Sequence, residues 1–191
     1  VYTLVVLATM NILAFGASSS STSINQKLAA YAAHQVETAT VNLVDLNNFE
    51  MPIYSMDKEQ TGGIPELASQ FKDFIAAADG IVISFAEHNG SYSTAFKNVL
   101  DWVSRLEGKV WLNKPMLLLA TSPGARGGQT VLNLAVTYFP FMGGDVAASF
   151  SLPSFNQNFS ADAGITDEAL KNKFRESFLA FTAKLPTEIA R

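Results

Sequence analysis

Six consecutive hydroxyl side chains, residues 18–23 in the stretch NILAFGASSSSTSIN, follow an apolar run and a glycine, with no charge among them. Hydroxyls at that density suit one kind of chemistry, donating hydrogen bonds to an anion without desolvating a full positive charge. A phosphate monoester needs donors and a positive field. The start of a helix supplies both, through unpaired backbone N–H groups and its dipole. Two other readings compete: a Ser-rich flexible linker and the cleavage region of a signal peptide. A linker rarely stands between a core strand and a capped helix, and Ser23 with Gln26 has capping-box spacing. The anion cradle is therefore the favoured reading. Neither G-x-x-x-x-G-K-[ST] nor G-x-G-x-x-G occurs at this turn, and no lysine precedes Lys27.

Two further polar loops carry candidate chemistry. In SFAEHNGSYSTAFKNVLDW (84–102), Glu87, His88, Asn89 and Gly90 make a polar turn, with Ser91 and Ser93 leading into a helix. Spacing alone does not separate a ligand contact from a solvated turn with a helix cap. TSPGARGGQT (121–130) holds three glycines and a proline, a composition that lets backbone amides approach a flat ligand closely. Apart from Lys97, on the helix into which the second stretch leads, Arg126 is the cation these loops carry; it is a surface arginine, or a partner for a pyridine-nucleotide phosphate or for charge on a reduced cofactor. No catalytic triad or pair of acid–base carboxylates stands out.

The elements that position these loops alternate along the 191 residues. NILAF (11–15), TVNLVDL (40–46), GIVISF (80–85), PMLLLAT (115–121) and DVAASFSL (145–152) read as strands, most of them apolar throughout as in buried parallel sheets. Helical faces lie between them: Ile24, Leu28 and Tyr31; Leu67, Phe71 and Ile75 after a first-turn Pro65; Phe96 to Leu106; residues 129–139; and Leu170 to Leu185, opened by Thr166. The polar stretch from Asn47 to Gly63 is expected to be loop. Five strands alternating with five helices specify an α/β sandwich with a parallel sheet and helices on both faces. The hydroxyl, EHNG and SPGARGG loops follow strands one, three and four. In a 2-1-3-4-5 order those loops converge at the carboxyl edge, where such sheets bind ligands.

Composition narrows the classes. A net charge of −4 with pI near 5.1 argues against a nucleic-acid binder. No cysteine is present, which excludes disulfides, thiolate metal sites and a CxxC redox pair, so redox chemistry requires a cofactor. The two histidines, His34 and His88, are far apart, so a histidine-built metal site is not expected. The opening sixteen residues are apolar but lack a preceding cation, and are short for a membrane span of about 20 residues. Residues 1–9 are read as an extension, and residues 10–191 as one domain.

The motifs ASSSSTSIN (17–25), AEHNGS (86–91), KNVLDW (97–102) and SPGARGG (122–128) resemble those of the NADPH-dependent FMN reductase family, which includes azo, quinone and chromate reductases. That family has G-S-x-R-x-x-S-x-N, P-E-Y-N-G-S, K-N-x-x-D-W and S-P-G-x-x-G-G in this order. The resemblance implies a flavodoxin-like three-layer sandwich with a five-stranded parallel sheet in the order 2-1-3-4-5. It implies that Ser18, Ser20, Ser23, Ile24 and Asn25 hold the FMN phosphate. Ala86, Glu87, His88, Asn89 and Gly90 would border the isoalloxazine and ribityl chain, while Ser122, Gly124 and Gly127 would present backbone to the pyrimidine side. Lys97, Asn98, Asp101 and Trp102 would support the loop and a subunit interface. Four positions depart from the pattern: Ala17 replaces glycine, Ser20 the phosphate-binding arginine, Ala86 proline and His88 tyrosine. Neutral hydroxyls and a helix dipole are left to hold the anion.

The function so implied is hydride transfer from NAD(P)H through FMN to a small-molecule acceptor (quinone, azo compound, flavin or metal oxyanion) by a ping-pong cycle. The expected setting is a cytoplasmic homodimer or dimer of dimers, with no membrane or nucleic-acid partner. Phe139, Phe141, Trp102 and Trp111 look like more aromatic surface than one core absorbs. Two rivals stay open: a flavodoxin-type electron carrier, for which −4 is a weak charge, and an interaction protein of the same fold that has lost its cofactor.

Overall fold

The computed structural model describes residues 9–187, so most of the expected extension, residues 1–8, lies outside the described residues. The chain opens on strand β1 (Met10–Ala17), continues through helix α1 (Ile24–Ala33) and β2 (Ala39–Leu43), then α2 (Met56–Gly62) and α3 (Glu66–Ala77). Next come β3 (Gly80–Phe85), α4 (Thr94–Val103), β4 (Pro115–Thr121), α5 (Gln129–Tyr138) and β5 (Asp145–Leu152). The one-turn α6 (Phe155–Asn158), the antiparallel pair β6 (Phe159–Ser160) and β7 (Gly164–Ile165), and α7 (Glu168–Thr182) close it.

The five long strands form one parallel sheet in the order β2-β1-β3-β4-β5. Every residue of β3 is buried, as a central strand covered on both faces requires. Alternate residues feed two cores. Leu13, Phe15, Ile81, Ile83, Met116 and Leu118 pack with α3, α4 and α5, while Ile12, Ala14, Val82, Leu117 and Leu119 pack with α1 and α7. Layers of helix, sheet and helix result, and the strands aim their carboxyl ends at one edge.

Several expected elements differ. The stretch read as loop holds most of a 3-10 turn (Leu46–Phe49), which begins on the last residue read as strand, and the whole of α2, capped by the Ser55 hydroxyl, which accepts from Lys58 N–H at 3.2 Å. Helix α2 buries none of its residues, so no apolar period announced it. Strand β2 stops at Leu43; Val44 and Leu46 stay buried, but the Asp45 carboxylate turns the chain by accepting from Asn47 N–H at 2.9 Å. Helix α4 ends at Val103, short of Leu106, and Asp167 rather than Thr166 caps α7. Three of the four aromatic residues expected to exceed the core lie inside it. Trp102, Trp111 and Phe139 are buried, with Trp111 stacked on Phe139 at 4.6 Å, and of the four only Phe141 is exposed, at 73%.

Candidate active site

At the end of β1, Gly16 lets strand and helix touch: a Cβ there would collide with the backbone of Asn25 and Gln26. The Ser23 hydroxyl caps α1 by accepting from Gln26 N–H at 3.2 Å. The reciprocal half of the expected capping box is rerouted. Gln26 Oε1 accepts from Gly16 N–H at 2.6 Å, and its Nε2 donates to the Val44 carbonyl at 3.0 Å, tying α1 to β1 and β2. Among the described residues, the first-turn N–H groups of Ile24 and Asn25 meet no protein acceptor, and neither do the Ser20 and Thr22 hydroxyls meet a protein partner. Ser18 Oγ accepts from Ser20 N–H at 3.1 Å, folding the run back on itself.

A buried polar lattice holds this turn against the neighbouring strands. Asn25 Oδ1 accepts from the Ser84 hydroxyl at 2.7 Å and from Thr121 N–H at 3.0 Å, and its Nδ2 donates to the Thr121 carbonyl at 3.1 Å. The Thr121 hydroxyl donates on to Leu152 O at 2.7 Å, and that of Ser93, which caps α4, donates to Ala17 O at 2.8 Å. The Asn25 amide is thus engaged with protein on both its ends, and its side chain acts as a clamp between α1, β3 and β4.

In the second loop, His88 and Ser91 exchange backbone hydrogen bonds at 3.0 and 3.1 Å around Asn89 (φ 53°) and Gly90 (φ 76°). Both central residues have positive φ, the geometry that Asn-Gly favours in a tight hairpin turn. Glu87 Oε2 accepts from Val131 N–H at 3.1 Å, so its carboxylate satisfies a first-turn amide of α5 and anchors the loop there. In the third loop, the Gly124 carbonyl accepts from Gly127 N–H and Ser154 N–H. Gly127 is buried, and its carbonyl accepts from Ser151 Oγ at 2.9 Å, so its backbone faces protein rather than open space. Gly124 is exposed, and a Cβ there would meet nothing nearer than Ser122 Oγ at 3.9 Å.

The three loops converge on one pocket of about 300 Å³. It gathers Ser18, Ser20, Ser23, Ile24 and Asn25 from the first loop, Ala86, Glu87 and His88 from the second, and Ser122 from the third. Of the expected residues, Asn89, Gly90, Gly124 and Gly127 stand outside its lining. Thr22, Thr121 and Pro123 line it and were not among the expected residues; the signal for Thr121 was a hydroxyl on the last residue of a strand. Asn98 and Trp102 brace a different loop from the one expected. Asn98 accepts from Tyr54 N–H at 2.9 Å and donates to the Met51 and Pro52 carbonyls, and Trp102 Nε1 donates to Pro52 O at 2.7 Å. Among the described residues, no group of three or more potential metal-ligating side chains occurs, and no helix is long and apolar enough to cross a membrane.

A parallel 2-1-3-4-5 sheet with a hydroxyl-rich pocket at its carboxyl edge defines a flavodoxin-like protein. The sequence profile for NADPH-dependent FMN reductase matches residues 10–157, and the chain belongs to that family. An NADPH:quinone oxidoreductase of Arabidopsis thaliana is 32% identical over 141 residues, 71% of each chain. A 2-hydroxy-1,4-benzoquinone reductase of a Burkholderia species is 40% identical over 107 residues, 55% of this chain and 56% of that one. An NADPH azoreductase of a Bacillus species is 36% identical over 106 residues, 56% of this chain and 55% of its own. Among solved structures, the flavoenzyme NAD(P)H:(acceptor) oxidoreductase FerB from Paracoccus denitrificans superposes with a TM-score of 0.71 over 92% of this chain and 98% of its own. At 24% identity that likeness speaks to fold alone. The family's cofactor is FMN and its electron donor NAD(P)H. The residues present fit a phosphate ester: two unpaired helix amides and two unengaged hydroxyls meet at the α1 turn.

Proposed function

We propose that this protein is an FMN-dependent NAD(P)H oxidoreductase whose acceptor is a quinone. The observation that carries the reading is the convergence of the three loops on one pocket beside the unpaired amides of Ile24 and Asn25. Those amides, with the hydroxyls of Ser20 and Thr22, bind the phosphate ester. Asn25, through Ser84 and Thr121, keeps the turn at a fixed distance from β4. Ala86, His88 and Ser122 border the remainder of the cofactor, and Glu87 holds their loop rigid against α5. FMN, when bound, supplies a two-electron carrier between nicotinamide and acceptor. No side chain need move a proton; the chain's task is to bind, orient and exclude water.

A quinone is favoured as acceptor because the Arabidopsis and Burkholderia relatives both carry quinone reductase names. We place the homodimer contact on the face formed by α4 and α5, where Tyr138 and Phe141 are 55% and 73% exposed beside a pocket of about 290 Å³ lined by Tyr92, Leu100, Leu134 and Met142. The Tyr92 hydroxyl is buried there with no hydrogen-bond partner among the described residues, and burial, with a smaller effect of Tyr138, pushes the phenol well above its usual range.

The test is titration of the protein with FMN followed by anaerobic NADPH. Quenching of flavin fluorescence, bleaching by NADPH and recovery of the oxidised spectrum on adding a benzoquinone are expected, with parallel double-reciprocal plots. A protein that never takes up FMN sinks the reading and favours the cofactor-free rival. One that binds FMN but is bleached by neither NADPH nor NADH favours the electron carrier.

A further inference from the structure

A second and larger groove, of about 790 Å³, lies across the outer edge of β5, between the first turns of α5 and the solvent face of α7. Its apolar floor comes from Phe150, Pro153 and Leu170. Two cations line it, Arg126 from the third loop and Lys173 from α7, opposed by a single carboxylate, Glu176. Among the described residues neither cation has a carboxylate within 4.0 Å. Arg126 is not loose: its Nη2 donates to Thr130 Oγ1 at 2.8 Å, which holds the guanidinium over the start of α5. Two of the groove's serine hydroxyls are engaged, Ser177 donating to Ser149 O at 3.1 Å and Ser151 to Gly127 O.

The groove adjoins the flavin pocket through one loop. Ser122 and Pro123 line the pocket, and Ala125 and Arg126, two residues further on, line the groove. An apolar floor with two cations that no neighbouring carboxylate pairs among the described residues matches the adenosine end of a dinucleotide, whose base is apolar on its faces and whose phosphates are anionic. We infer that this groove holds the adenosine-phosphate end of the nicotinamide donor, with Arg126 and Lys173 reading its phosphate. The inference rests on the oxidoreductase reading above and names the residues that would select the donor. In a chain of net charge −4, placing two cations beside the pocket counters repulsion of an anionic substrate.

The test uses the whole protein and two probes that do not depend on flavin, adenosine 2′,5′-bisphosphate and 5′-AMP, each followed by calorimetric titration. The bisphosphate is expected to bind, and the double variant R126Q/K173Q to weaken it at least tenfold without altering FMN retention or the melting temperature. Both side chains are exposed, so the variant leaves the core untouched. Glu176→Gln, which removes the opposing charge, is expected to tighten binding. A loss confined to the bisphosphate assigns the contact to the 2′-phosphate of NADPH; an equal loss for both probes assigns it to the 5′-phosphate common to NADH. Failure of the wild type to bind either probe, or an unchanged affinity in the double variant, overturns the inference even if FMN binds. Probe binding lost in the double variant of a protein that takes up no FMN upholds the groove and removes the flavin reading instead.

Discussion

Asn25 shows how one side chain can stand in a ligand motif and yet act on its own protein. Its amide joins α1 to Ser84 and Thr121 from a position only 3% exposed. Asn25→Ala removes the amide that bonds the Thr121 N–H and carbonyl and the Ser84 hydroxyl, and each buried polar group so stranded costs about 1–3 kcal/mol. Urea denaturation is expected to show a loss of about 3 kcal/mol, and FMN retention to fall with it. Ser20 offers the complementary test. It stands where the family carries an arginine, it is exposed at the pocket mouth, and among the described residues no lysine or arginine lines that pocket. Ser20→Arg should tighten FMN binding by roughly tenfold, about 1.4 kcal/mol, since hydrogen bonds to a guanidinium are the stronger kind. Fluorescence quenching at low salt measures it, and an unchanged or weaker affinity would place the phosphate elsewhere.

At the scale of elements, α4 fixes a segment that lies beside the hydroxyl run. Asn98 and Trp102 on α4 hold residues 51–54 by four hydrogen bonds, and Tyr54 is fastened again by Glu59, which Arg105 pairs at 2.9 Å. That segment walls a neighbouring pocket with Met51 and Ile53, directly beside Ser19. Asn98→Ala removes three of those bonds at one stroke. Amide exchange at Tyr54 is expected to quicken at least tenfold while exchange in β3 stays slow, because the opening is local. Uniform acceleration across the chain would show instead that α4 and the sheet open as one unit.

For the whole molecule, the apolar face of α4 and α5 is where the proposed dimer contact is tested. Tyr138 and Phe141 contact each other, at 6.4 Å between ring centres, on the outside of a core that already holds Phe139 and Trp111. Phe141→Glu puts a charge on that face without entering the core. Sedimentation of the wild type is expected to give a dimer and of Phe141→Glu a monomer with an unchanged melting profile. A wild type that sediments as a monomer at micromolar concentration removes the dimer from the account.

Much of the architecture was written in local pattern. The apolar strands GIVISF and PMLLLAT, the hydroxyl run before a helix and the Asn-Gly turn each act through near neighbours in the chain, so residue type and spacing determine them. The 2-1-3-4-5 order followed from the resemblance and from the rules of parallel crossovers. Helix α2 escaped notice because it buries no residue, and the roles of Asn25, Gln26 and Gly127 because their partners lie on other strands. Nor could spacing alone reveal that Trp102 and Trp111 are buried, or that Lys173 shares a groove with Arg126 across 46 intervening residues. Sequence by itself determined which groups could grip an anion. Only the tertiary structure decided which of them are free to do so, because a hydrogen-bond donor already engaged by protein is closed to a ligand, and that depends on contacts remote along the chain.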